Sequence, residues 1–404
     1  MQSYFHIRDF DARNKTVLMR VDFNVPLKDS KVVDNTRIRA TLPTISYLLQ
    51  QHAKIILISH LGRPKGIDSA FSLRPVAKEL ERLIDYKVQF ASDCIGEEVK
   101  KTIKGLAPKD ILLLENLRFY KEEEGNDETF AAKLAELADY YINDAFAATH
   151  RAHASVDAIT NCIPSACGFL IERELRELRK VLNPKQPLIC MIGGLKISDK
   201  IGTIEHMAKK ADKILVGGAV AASFLKAKGI NTGTTKIDAI DLAVRILQQY
   251  QDKIVLPKDV VIADKFDNNA EKKTVSIYEI PDDWMMLDIG PETCDMFNKE
   301  LKRANTVLWN GPLGVFEFPN FMVGTKKVAN CLCEQNSVKI VGGSESVQVV
   351  NELELAYRFT YVATGGGATL EFLGDRELPA ITALERSYRK FNHTQPLTQH
   401  PTQR

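Results

Sequence analysis

The sequence has 404 residues, of which 26% are charged and 45% are hydrophobic, as in an ordinary soluble globular protein. A chain of this length predicts two domains rather than a single core. The formal net charge of +2 argues against nucleic acid or an anionic membrane as the partner. The longest apolar runs, such as residues 111–114, are too short to span a bilayer, and the mixed charges at the N-terminus are not those of a secretory signal.

Short apolar strands alternate with amphipathic helical patterns along most of the chain. In the first half the predicted strands are residues 16–21, 54–59, 87–91, 111–114 and 140–142, with helices such as 37–49 and 127–138 between them. In the second half the predicted strands are residues 188–192, 213–216, 260–263, 306–309, 338–341 and 359–362. Alternation of this kind predicts an α/β fold with parallel sheets that are covered by helices on both faces.

One amphipathic helix marks the predicted boundary between two domains. Leucine and isoleucine recur at helical spacing between residues 170 and 182, the other face is densely charged, and two prolines follow. We therefore predict a first domain over residues 1–168 and a second over 169–377, with 169–183 as an interdomain helix. Residues 389–404 are polar and aperiodic, and we expect a disordered tail there.

The seven cysteines are scattered along the chain and predict neither a disulfide framework nor a zinc site. Cys331 and Cys333 form a C-x-C pair, but no second pair and no paired histidines accompany it. This usage favours a reducing compartment, so we expect a cytoplasmic location.

Arginine and histidine side chains follow the predicted strands of the first half, where parallel strands present their carboxyl ends. These side chains and their polar neighbours are Arg20, Asp22, Asn24, Arg37, His60, Arg63, Arg118, His150, Arg151 and His153. The guanidinium fork makes two parallel hydrogen bonds to a carboxylate or phosphate. Each arginine alone is more simply a solvated surface group or a helix cap, but five of them in one half favour an anion site.

Nucleic acid and a metal ion are the rival ligands for this basic region. Residues 1–165 hold 23 Lys and Arg against 23 Asp and Glu, so the net charge of this half is zero and its basic character is local. That balance favours a small anion over a long polyanion. His150 and His153 could form a metal pair, but no acidic or cysteine partner lies at a suitable spacing, so a metal ion is disfavoured.

Glycines end four predicted strands of the second half, in the stretches MIGGLKISDK, LVGGAVAAS, VGGSESV and VATGGGATLEF. Glycine lets the backbone approach a phosphate closely, and helix N-terminal amides favour negative charge. Lys196 and Lys200 are four residues apart, so we expect both on one face at the start of a helix, where they would neutralise phosphate oxygens. Asn310, Pro312 and Glu317 follow another strand and could contact a base or ribose.

The sequence lacks the signatures of several other nucleotide-binding classes. It contains no G-x-x-x-x-G-K-[ST], no G-x-G-x-x-G and no protein-kinase signature. Tight strand-to-helix turns need glycine in any case, but four of them in one half favour a polyphosphate site. A small-anion site in one half and a polyphosphate site in the other predict a two-substrate phosphoryl transferase. In such an enzyme positioning and charge stabilisation replace a general base.

The sequence resembles the phosphoglycerate kinase family over residues 16–384. The motifs that carry the resemblance are RVDFNVPL, DNTRIRATLPTI, SHLGRPKG, CIGEEV, LLLENLRF, NDAF…HRAHAS, IGGLKISDKIG, LDIGPET, WNGPLGVFEF and TGGGATLEFL. The resemblance implies two Rossmann-like domains with parallel sheets, separated by a cleft, with residues 378–388 packing back on the first domain. It implies reversible phosphoryl transfer between 1,3-bisphosphoglycerate and ADP, giving 3-phosphoglycerate and MgATP, in glycolysis and gluconeogenesis. We expect a monomer, since no extra hydrophobic segment calls for a partner chain.

The resemblance also assigns roles to individual residues. Phosphoglycerate would be held by Asp22, Phe23, Asn24, Arg37, His60, Leu61, Gly62, Arg63, Arg118 and Arg151. The nucleotide would be bound by Lys196, Lys200, Gly217, Gly218, Asn310, Pro312, Glu317, Gly343, Ser344, Glu345 and Ser346. The transferring phosphoryl group would be stabilised by Arg37, by Lys196 and by the backbone amides of Gly365, Gly366 and Gly367.

The departures from the family lie on the nucleotide side. The family's loop usually reads Gly-Gly-Gly-Asp-Thr or Ser, with the aspartate serving the magnesium ion of the nucleotide. Here Ser344 replaces the third glycine and Glu345 replaces the aspartate. Glutamate carries the same charge as aspartate but one methylene further from the backbone, and we expect Glu345 to bind the magnesium ion. Ser344 would be strained if its backbone needed a positive φ. Ala219 also stands where a third glycine is usual.

The motifs support three hypotheses of unequal weight. The favoured one is an active, magnesium-dependent phosphoglycerate kinase, because the substrate arginines and both lysines are present. The second is a weakly active or regulatory paralogue that binds the same ligands, motivated by the altered residues 344–346. The third is an enzyme for another acyl phosphate or another nucleotide. The unaltered arginines argue against a changed acceptor, while Ala219 leaves the nucleotide open.

Overall fold

The computed structural model describes residues 3–393, which divide into two compact units. The first contains residues 3–174 and 377–393, and the second contains residues 175–376. The division falls inside the helix Phe169–Leu182, whereas the predicted boundary assigned the whole of this helix to the second domain. Over the described range, no helix is both long and apolar enough to cross a membrane.

Strands and helices alternate through both units. The strands are β1 Phe5–His6, β2 Thr16–Arg20, β3 Leu27–Lys28, β4 Lys31–Val32, β5 Lys54–Ile58, β6 Val88–Phe90, β7 Ile111–Leu113, β8 Tyr140–Asn143, β9 Ser165–Cys167, β10 Leu188–Ile192, β11 Lys213–Val216, β12 Ile254–Val255, β13 Asp259–Ala263, β14 Lys272–Ser276, β15 Met285–Ile289, β16 Thr306–Asn310, β17 Val338–Gly342 and β18 Tyr361–Val362. The α-helices are α1 Thr36–Gln50, α2 Arg74–Ile84, α3 Glu97–Lys104, α4 Lys121–Glu124, α5 Glu128–Ala135, α6 Phe169–Leu182, α7 Ile201–Lys210, α8 Gly218–Ala227, α9 Ile240–Tyr250, α10 Pro291–Leu301, α11 Val323–Cys333, α12 Ser344–Glu352, α13 Gly367–Leu373 and α14 Pro379–Phe391.

The first unit is built on a seven-stranded parallel sheet, in the order β1-β9-β8-β2-β5-β7-β6. Its central strands are apolar on both faces because each face packs against a core. Val17 and Met19 of β2 contribute to one core, while Leu18 contributes to the other. The parallel arrangement predicted for these strands is confirmed, so the carboxyl ends of β2, β5, β7 and β8 meet at one edge.

Helix α14 packs on β1 and β9, at one side of the sheet of the first unit. Ser387 Oγ accepts a hydrogen bond from Ser165 N–H at 3.1 Å, and the ring of Tyr388 lies 4.7 Å from that of Phe5. Most of residues 378–388, the segment expected to pack back on the first domain, belongs to this helix. The helix continues to Phe391, past the point where the polar tail was predicted to begin, and residues 394–404 of that tail lie outside the described residues.

The second unit contains a six-stranded parallel sheet, in the order β12-β11-β10-β16-β17-β18, and a separate three-stranded sheet, β14-β13-β15. Met191 of β10 and Trp309 of β16 lie fully buried in the core of the parallel sheet. The expectation that residues 260–263 belong to a parallel sheet is wrong, because β13 pairs antiparallel with β14 and β15. The sequence pattern missed β14 because its residues are polar and mostly exposed.

Candidate functional site

The arginine at the end of β2 organises the basic region of the first unit. Arg20 is fully buried, and its Nε donates a hydrogen bond to Ser155 Oγ at 2.9 Å. Its Nη1 donates to the carbonyl oxygen of Val21 at 2.5 Å, and its Nη2 lies 3.1 Å from His60 Nδ1. The sequence placed Arg20 at this edge of the sheet but gave no sign that its charge would be buried.

The buried carboxylate of Glu123, which was not predicted from the sequence, lies beside Arg20. Glu123 of α4 is fully buried, and its Oε1 lies 3.9 Å from Arg20 Nη2. Its Oε1 accepts a hydrogen bond from the Ser155 hydroxyl at 2.6 Å, and its Oε2 accepts one from the Ser155 N–H at 2.9 Å. His153 Nδ1 also lies 3.9 Å from Oε1. Glu123 stands in the stretch KEEEG, where no signal separates the buried glutamate from its neighbours.

Burial and neighbouring guanidinium groups keep two histidines of this region neutral. Burial, followed by the charges of four arginines, lowers the pKa of His60 well below its usual value. Those arginines are Arg20, Arg118, Arg151 and Arg37. Burial and nearby positive charges also lower the pKa of His153 to about 4. Because guanidinium groups stay protonated in proteins, the positive charge of this region does not depend on its histidines.

Arg37 and Asp22, both predicted to bind phosphoglycerate, form an ion pair. Arg37 lies in the first turn of α1, and its Nη1 donates to Asp22 Oδ2. Asp22 Oδ1 accepts a hydrogen bond from Asn24 N–H at 3.2 Å, and Asn24 Oδ1 accepts one from Gly62 N–H at 2.9 Å. These contacts join the loop after β2 to the loop after β5.

The loop after β5 also contacts the predicted Arg118. Gly62 has a φ of +62°, and a Cβ there would lie 2.3 Å from the ring of Phe71, so this position requires glycine. Its carbonyl oxygen accepts a hydrogen bond from Arg118 Nη1 at 2.6 Å, and Arg118 Nε lies 3.0 Å from Glu124 Oε1. Arg63, the next residue of the loop, has an exposed side chain.

Phe23 and Leu61 lie at this edge, but their side chains are buried in the core. Their backbone amides are also engaged. Phe23 N–H donates to Ser59 Oγ at 2.9 Å, and Leu61 N–H donates to Asn116 Oδ1 at 3.2 Å. These two residues therefore shape the loops rather than present side chains to a ligand.

Arg151 is half-buried, and its Nε donates a hydrogen bond to Nε2 of the neighbouring His150 at 3.2 Å.

In the second unit the glycines at the strand ends pack against one another's backbone. Gly217 N–H donates to the carbonyl oxygen of Ile192 at 3.0 Å, and Gly218 N–H donates to that of Leu313 at 2.8 Å. Gly218 has a φ of +60°, and a Cβ there would lie 2.9 Å from the backbone nitrogen of Gly194. Close packing between strand ends thus explains Gly217 and Gly218, and their amides already have acceptors.

Only one of the two predicted lysines is buried. The expectation that both lie on one face at the start of a helix is wrong, because α7 begins after Lys200 and Lys196 lies in the preceding loop with an exposed side chain. Lys200 Nζ donates to Asn310 Oδ1 at 2.9 Å. Burial lowers the pKa of Lys200, and the charge of Glu345 acts in the opposite direction.

The loop after β17 leads directly into α12. Gly343 has a φ of +90°, and a Cβ there would lie 2.8 Å from Asn310 Nδ2. Ser344 is the first residue of the helix and has no positive φ, so the strain considered for it does not arise. Ser346 is buried, and its Oγ accepts a hydrogen bond from Gly311 N–H at 2.5 Å. The first amides of a helix have no acceptor within it, which makes this turn suitable for a phosphate.

Glu345 lies beside Gly194 and Lys200. A Cβ on Gly194 would lie 3.1 Å from Glu345 Oε2 and 3.2 Å from Lys200 Cε, so the carboxylate and the lysine flank this one glycine. Magnesium in phosphate-binding sites is commonly held by one or two carboxylates together with phosphate oxygens and waters. A single carboxylate at the N-terminus of α12 fits that donor set.

A cavity of 420 Å³ opens beside the same strand ends. Its apolar lining includes Ala219, Phe266, Met285, Met286, Leu287, Pro312, Val315 and Phe316. Its polar lining includes Thr234, Thr235, Lys236, Glu317 and Glu345. A mostly apolar cavity with a few polar groups is typical of a small-molecule site. The sequence pointed to Pro312 and Glu317 but not to Phe266 or the methionines, since these belong to the antiparallel sheet and its loops.

The glycine triplet at residues 365–367 precedes α13. Gly366 has a φ of +52° with open space where a Cβ would point, and Gly367 is the first residue of the helix. The turn therefore exposes backbone rather than side chain.

Residues 7–376 match the phosphoglycerate kinase family. The chain belongs to the phosphoglycerate kinase family. A phosphoglycerate kinase of Pseudothermotoga lettingae is 48% identical over 387 residues, covering 94% of this chain and 98% of the relative. A cytosolic phosphoglycerate kinase of Triticum aestivum is 47% identical over 388 residues, covering 93% and 97%. The crystal structure of phosphoglycerate kinase from Pyrococcus horikoshii OT3 superposes with a TM-score of 0.86 at 32% identity, covering 96% of this chain and all of the other.

These matches confirm the predicted fold class, family and function. The protein is an enzyme, a phosphoglycerate kinase family phosphotransferase that uses a carboxyl group as acceptor and works in glycolysis. Nothing in the matches supports the alternative of a weakly active or regulatory paralogue. The roles of single residues stay predictions.

Proposed function

We propose that the first unit binds phosphoglycerate and the second binds ADP or ATP, so that a phosphoryl group passes reversibly between 1,3-bisphosphoglycerate and ADP. One observation carries this proposal: the guanidinium groups of Arg20, Arg37 and Arg118 contact the loops after β2 and β5 at the carboxyl edge of the first sheet. Phosphoglycerate has an anionic group at each end, and the guanidinium fork matches both carboxylate and phosphate.

The proposed phosphoglycerate site uses residues from four loops of the first unit and from the first turn of α1. Its members are Asp22, Asn24, Arg37, His60, Gly62, Arg63, Arg118 and Arg151. Phe23 and Leu61 support it through the loops that they anchor in the core. The Arg37–Asp22 ion pair keeps the guanidinium group of Arg37 at the start of α1.

The proposed nucleotide site uses the first turn of α12, Lys200 and the cavity. The first-turn amides at residues 344–346 would face the phosphates, and Lys200 would add a charge that Asn310 orients. The apolar side of the cavity would take the base, with Glu317 on its polar side. Gly217 and Gly218 would contribute close packing, since their amides are already engaged.

We propose that the magnesium ion of the nucleotide is held by Glu345. When bound, the ion neutralises phosphate charge. Glu345 also raises the pKa of the neighbouring Lys200 against the effect of burial, which favours the charged form of that lysine. The same carboxylate would thus hold the magnesium ion and favour the charged form of Lys200, and these are the two positive groups that a polyphosphate would contact.

Phosphoryl transfer between these two substrates needs no proton acceptor, because the carboxylate of 3-phosphoglycerate is already an anion. The protein's part is then to position the two substrates and to offset the charge of the transferring group. We assign this second task to Arg37, Lys196 and the backbone at Gly367, at the start of α13. His60 stays neutral and can act as a hydrogen-bonding group without changing the charge of the site.

We further propose that the enzyme is cytoplasmic and works as a monomer. The location is supported by the seven free cysteines and by the cytosolic relative from Triticum aestivum. Sedimentation velocity of the purified chain, with and without substrates, tests the monomer.

The experiment that tests the proposed function is steady-state ATP consumption with magnesium, with and without 3-phosphoglycerate, while the acyl phosphate product is trapped as a hydroxamate. We expect consumption to require 3-phosphoglycerate. Arg37→Ala should raise the KM for 3-phosphoglycerate by about tenfold or more, as expected for the loss of a charged hydrogen bond.

Arg39→Ala is the matched control, because Arg39 lies on the same helix with an exposed side chain. It should change this KM by less than about twofold, as expected for a surface substitution. Consumption that does not depend on 3-phosphoglycerate would refute the reaction. Equal effects of the two substitutions would refute the assignment of Arg37.

A further inference from the structure

Three side chains with different donor atoms meet at the edge of the first unit's sheet. They are His6 of β1, Cys167 at the end of β9 and Glu172 in the first turn of α6. His6 Nδ1 lies 2.7 Å from Glu172 Oε1 and 3.6 Å from Cys167 Sγ. All three donor atoms lie within 4.8 Å of one another. Within residues 3–393, this is the one such group of three or more histidine, cysteine or acidic side chains.

We propose that His6, Cys167 and Glu172 form a Zn²⁺ site that fastens the N-terminal strand β1 to β9 and to the start of α6. Zinc was not predicted from the sequence, because the cysteines show no zinc-binding spacing along the chain. These residues are brought together by sheet order instead, since β1 and β9 are neighbouring parallel strands.

The distance between sulfur and nitrogen fits a tetrahedral zinc ion. Zn–S bonds of about 2.3 Å and Zn–N bonds of about 2.0–2.1 Å place sulfur and nitrogen about 3.6 Å apart at a tetrahedral angle. The observed separation of Cys167 Sγ and His6 Nδ1 is 3.6 Å. Nitrogen and oxygen ligands would lie about 3.4 Å apart by the same geometry. The His6–Glu172 pair, now at 2.7 Å, must therefore open slightly as the ion replaces the proton that the two groups share.

The charges and donor types also favour zinc. A thiolate and a carboxylate together balance a dication, which suits a site that is largely withdrawn from water. The Cys167 side chain is buried, and His6, with 36% of its side chain exposed, provides the entry path. Thiolate and imidazole ligands disfavour magnesium and calcium, which prefer oxygen. A water molecule would complete the four ligands.

One nearby cation opposes metal binding only weakly. Arg8 Nη1 donates to Glu172 Oε2 at 3.2 Å, which leaves Oε1 as the oxygen that faces His6. The Arg8 side chain is 52% exposed. An exposed ion pair of this kind contributes little to stability, so the ion can compete with it.

The proposal is tested by zinc binding to the full chain after removal of metals by dialysis against a chelator. A coloured zinc chelator reports the ion that the protein takes up. We expect one Zn²⁺ per chain, with an affinity that falls by about tenfold or more in Cys167→Ser and in His6→Gln. Cys162→Ser is the control, because Cys162 is an exposed thiol of the same unit that would bind metal adventitiously. It should leave the affinity unchanged.

Two further readouts keep the test independent of catalysis. Co²⁺ in place of Zn²⁺ should give a sulfur-to-metal charge-transfer band in the near ultraviolet with the unaltered chain, and no such band with Cys167→Ser. Zn²⁺ should raise the thermal midpoint of the unaltered chain but not that of His6→Gln. The proposal is overturned if the unaltered chain takes no zinc from the chelator, or if both variants bind it as tightly as the unaltered chain does.

Discussion

Replacing Glu123 by glutamine removes a negative charge from the interior of the first unit while nearly preserving the shape of the side chain. The carboxylate lies 3.9 Å from the guanidinium group of Arg20 and accepts two hydrogen bonds from Ser155. Arg20 and Glu123 are both fully buried, so water does not replace the lost partner. We therefore expect Glu123→Gln to destabilise the first unit strongly.

The expected loss can be worked out from these contacts. Removing one partner of a buried ion pair destabilises a protein by about 3–5 kcal/mol, mainly because the other charge stays buried and uncompensated. Glutamine can still accept one hydrogen bond from Ser155 but offers no second acceptor, and a hydrogen bond to a charged group contributes about 1.5–3 kcal/mol. The two effects overlap, so we expect a total loss of about 3–5 kcal/mol in the free energy of unfolding.

Hydrogen exchange measured by mass spectrometry reports this loss separately for each unit. Amides of β2 and β8 should exchange faster in Glu123→Gln, while those of β16 in the second unit should not change. Glu124→Gln is the matched control, because Glu124 lies on the same helix but has 57% of its side chain exposed. Its ion pair with Arg118 should contribute no more than about 1 kcal/mol. If both substitutions change exchange equally, Glu123 is not the partner that compensates Arg20.

Three further predictions, one of them with a control substitution, test the nucleotide side and His153. Gly343→Ala should destabilise the loop by about 1–2 kcal/mol because its φ is +90°, while Ser344→Gly, the control in thermal unfolding and nucleotide titration, should have little effect. Glu345→Gln should raise the magnesium concentration for half-maximal activity by about tenfold, and an unchanged magnesium curve would contradict its role. The folded-state pKa of His153, about 4, lies below its unfolded value of about 6.5, so the folded protein binds fewer protons and stability falls as pH drops from about 6.5 towards 4. His153→Gln should therefore lose less stability than the unaltered chain between pH 7 and pH 5 in urea titrations, and equal losses would refute this.

The central strands of both units could be predicted from the sequence because they are buried on two faces. Strands such as β5 consist almost wholly of apolar residues, because both faces of the strand are buried. Such a continuous apolar run can be recognised without any alternation of polar and apolar residues. Most of the strands that were missed are short or exposed, but β15, which reads MMLDI with three buried positions, was missed as well. β1 has two residues, and β14 reads KKTVS with three exposed positions, so neither carries a pattern that differs from a loop.

The candidate site could be predicted only where function requires a residue type at a strand end or at the start of a helix. Arg37 and Lys200 were found in this way. Glu123 was not, because burial of one glutamate in a charged run depends on the loop that carries Ser155, far along the chain. Lys196 and Lys200 show the opposite error. Their spacing suggested that they share a helix face, but α7 begins only after Lys200.

In the proposed sites, the two units would bind anions by different physical means. The first concentrates guanidinium groups, whose charge does not change with pH, around imidazoles that stay neutral. Its affinity for a small ligand with a carboxylate and a phosphate would therefore rest on fixed charge and on the directed hydrogen bonds of the guanidinium groups. The second has a lysine whose pKa is lowered by burial and raised again by Glu345, together with helix amides and an apolar cavity of 420 Å³. A small substrate with two anionic groups offers little apolar surface, so charge would have to supply its binding energy. A nucleotide brings a large base, so contact area can supply much of it, and fewer fixed charges suffice.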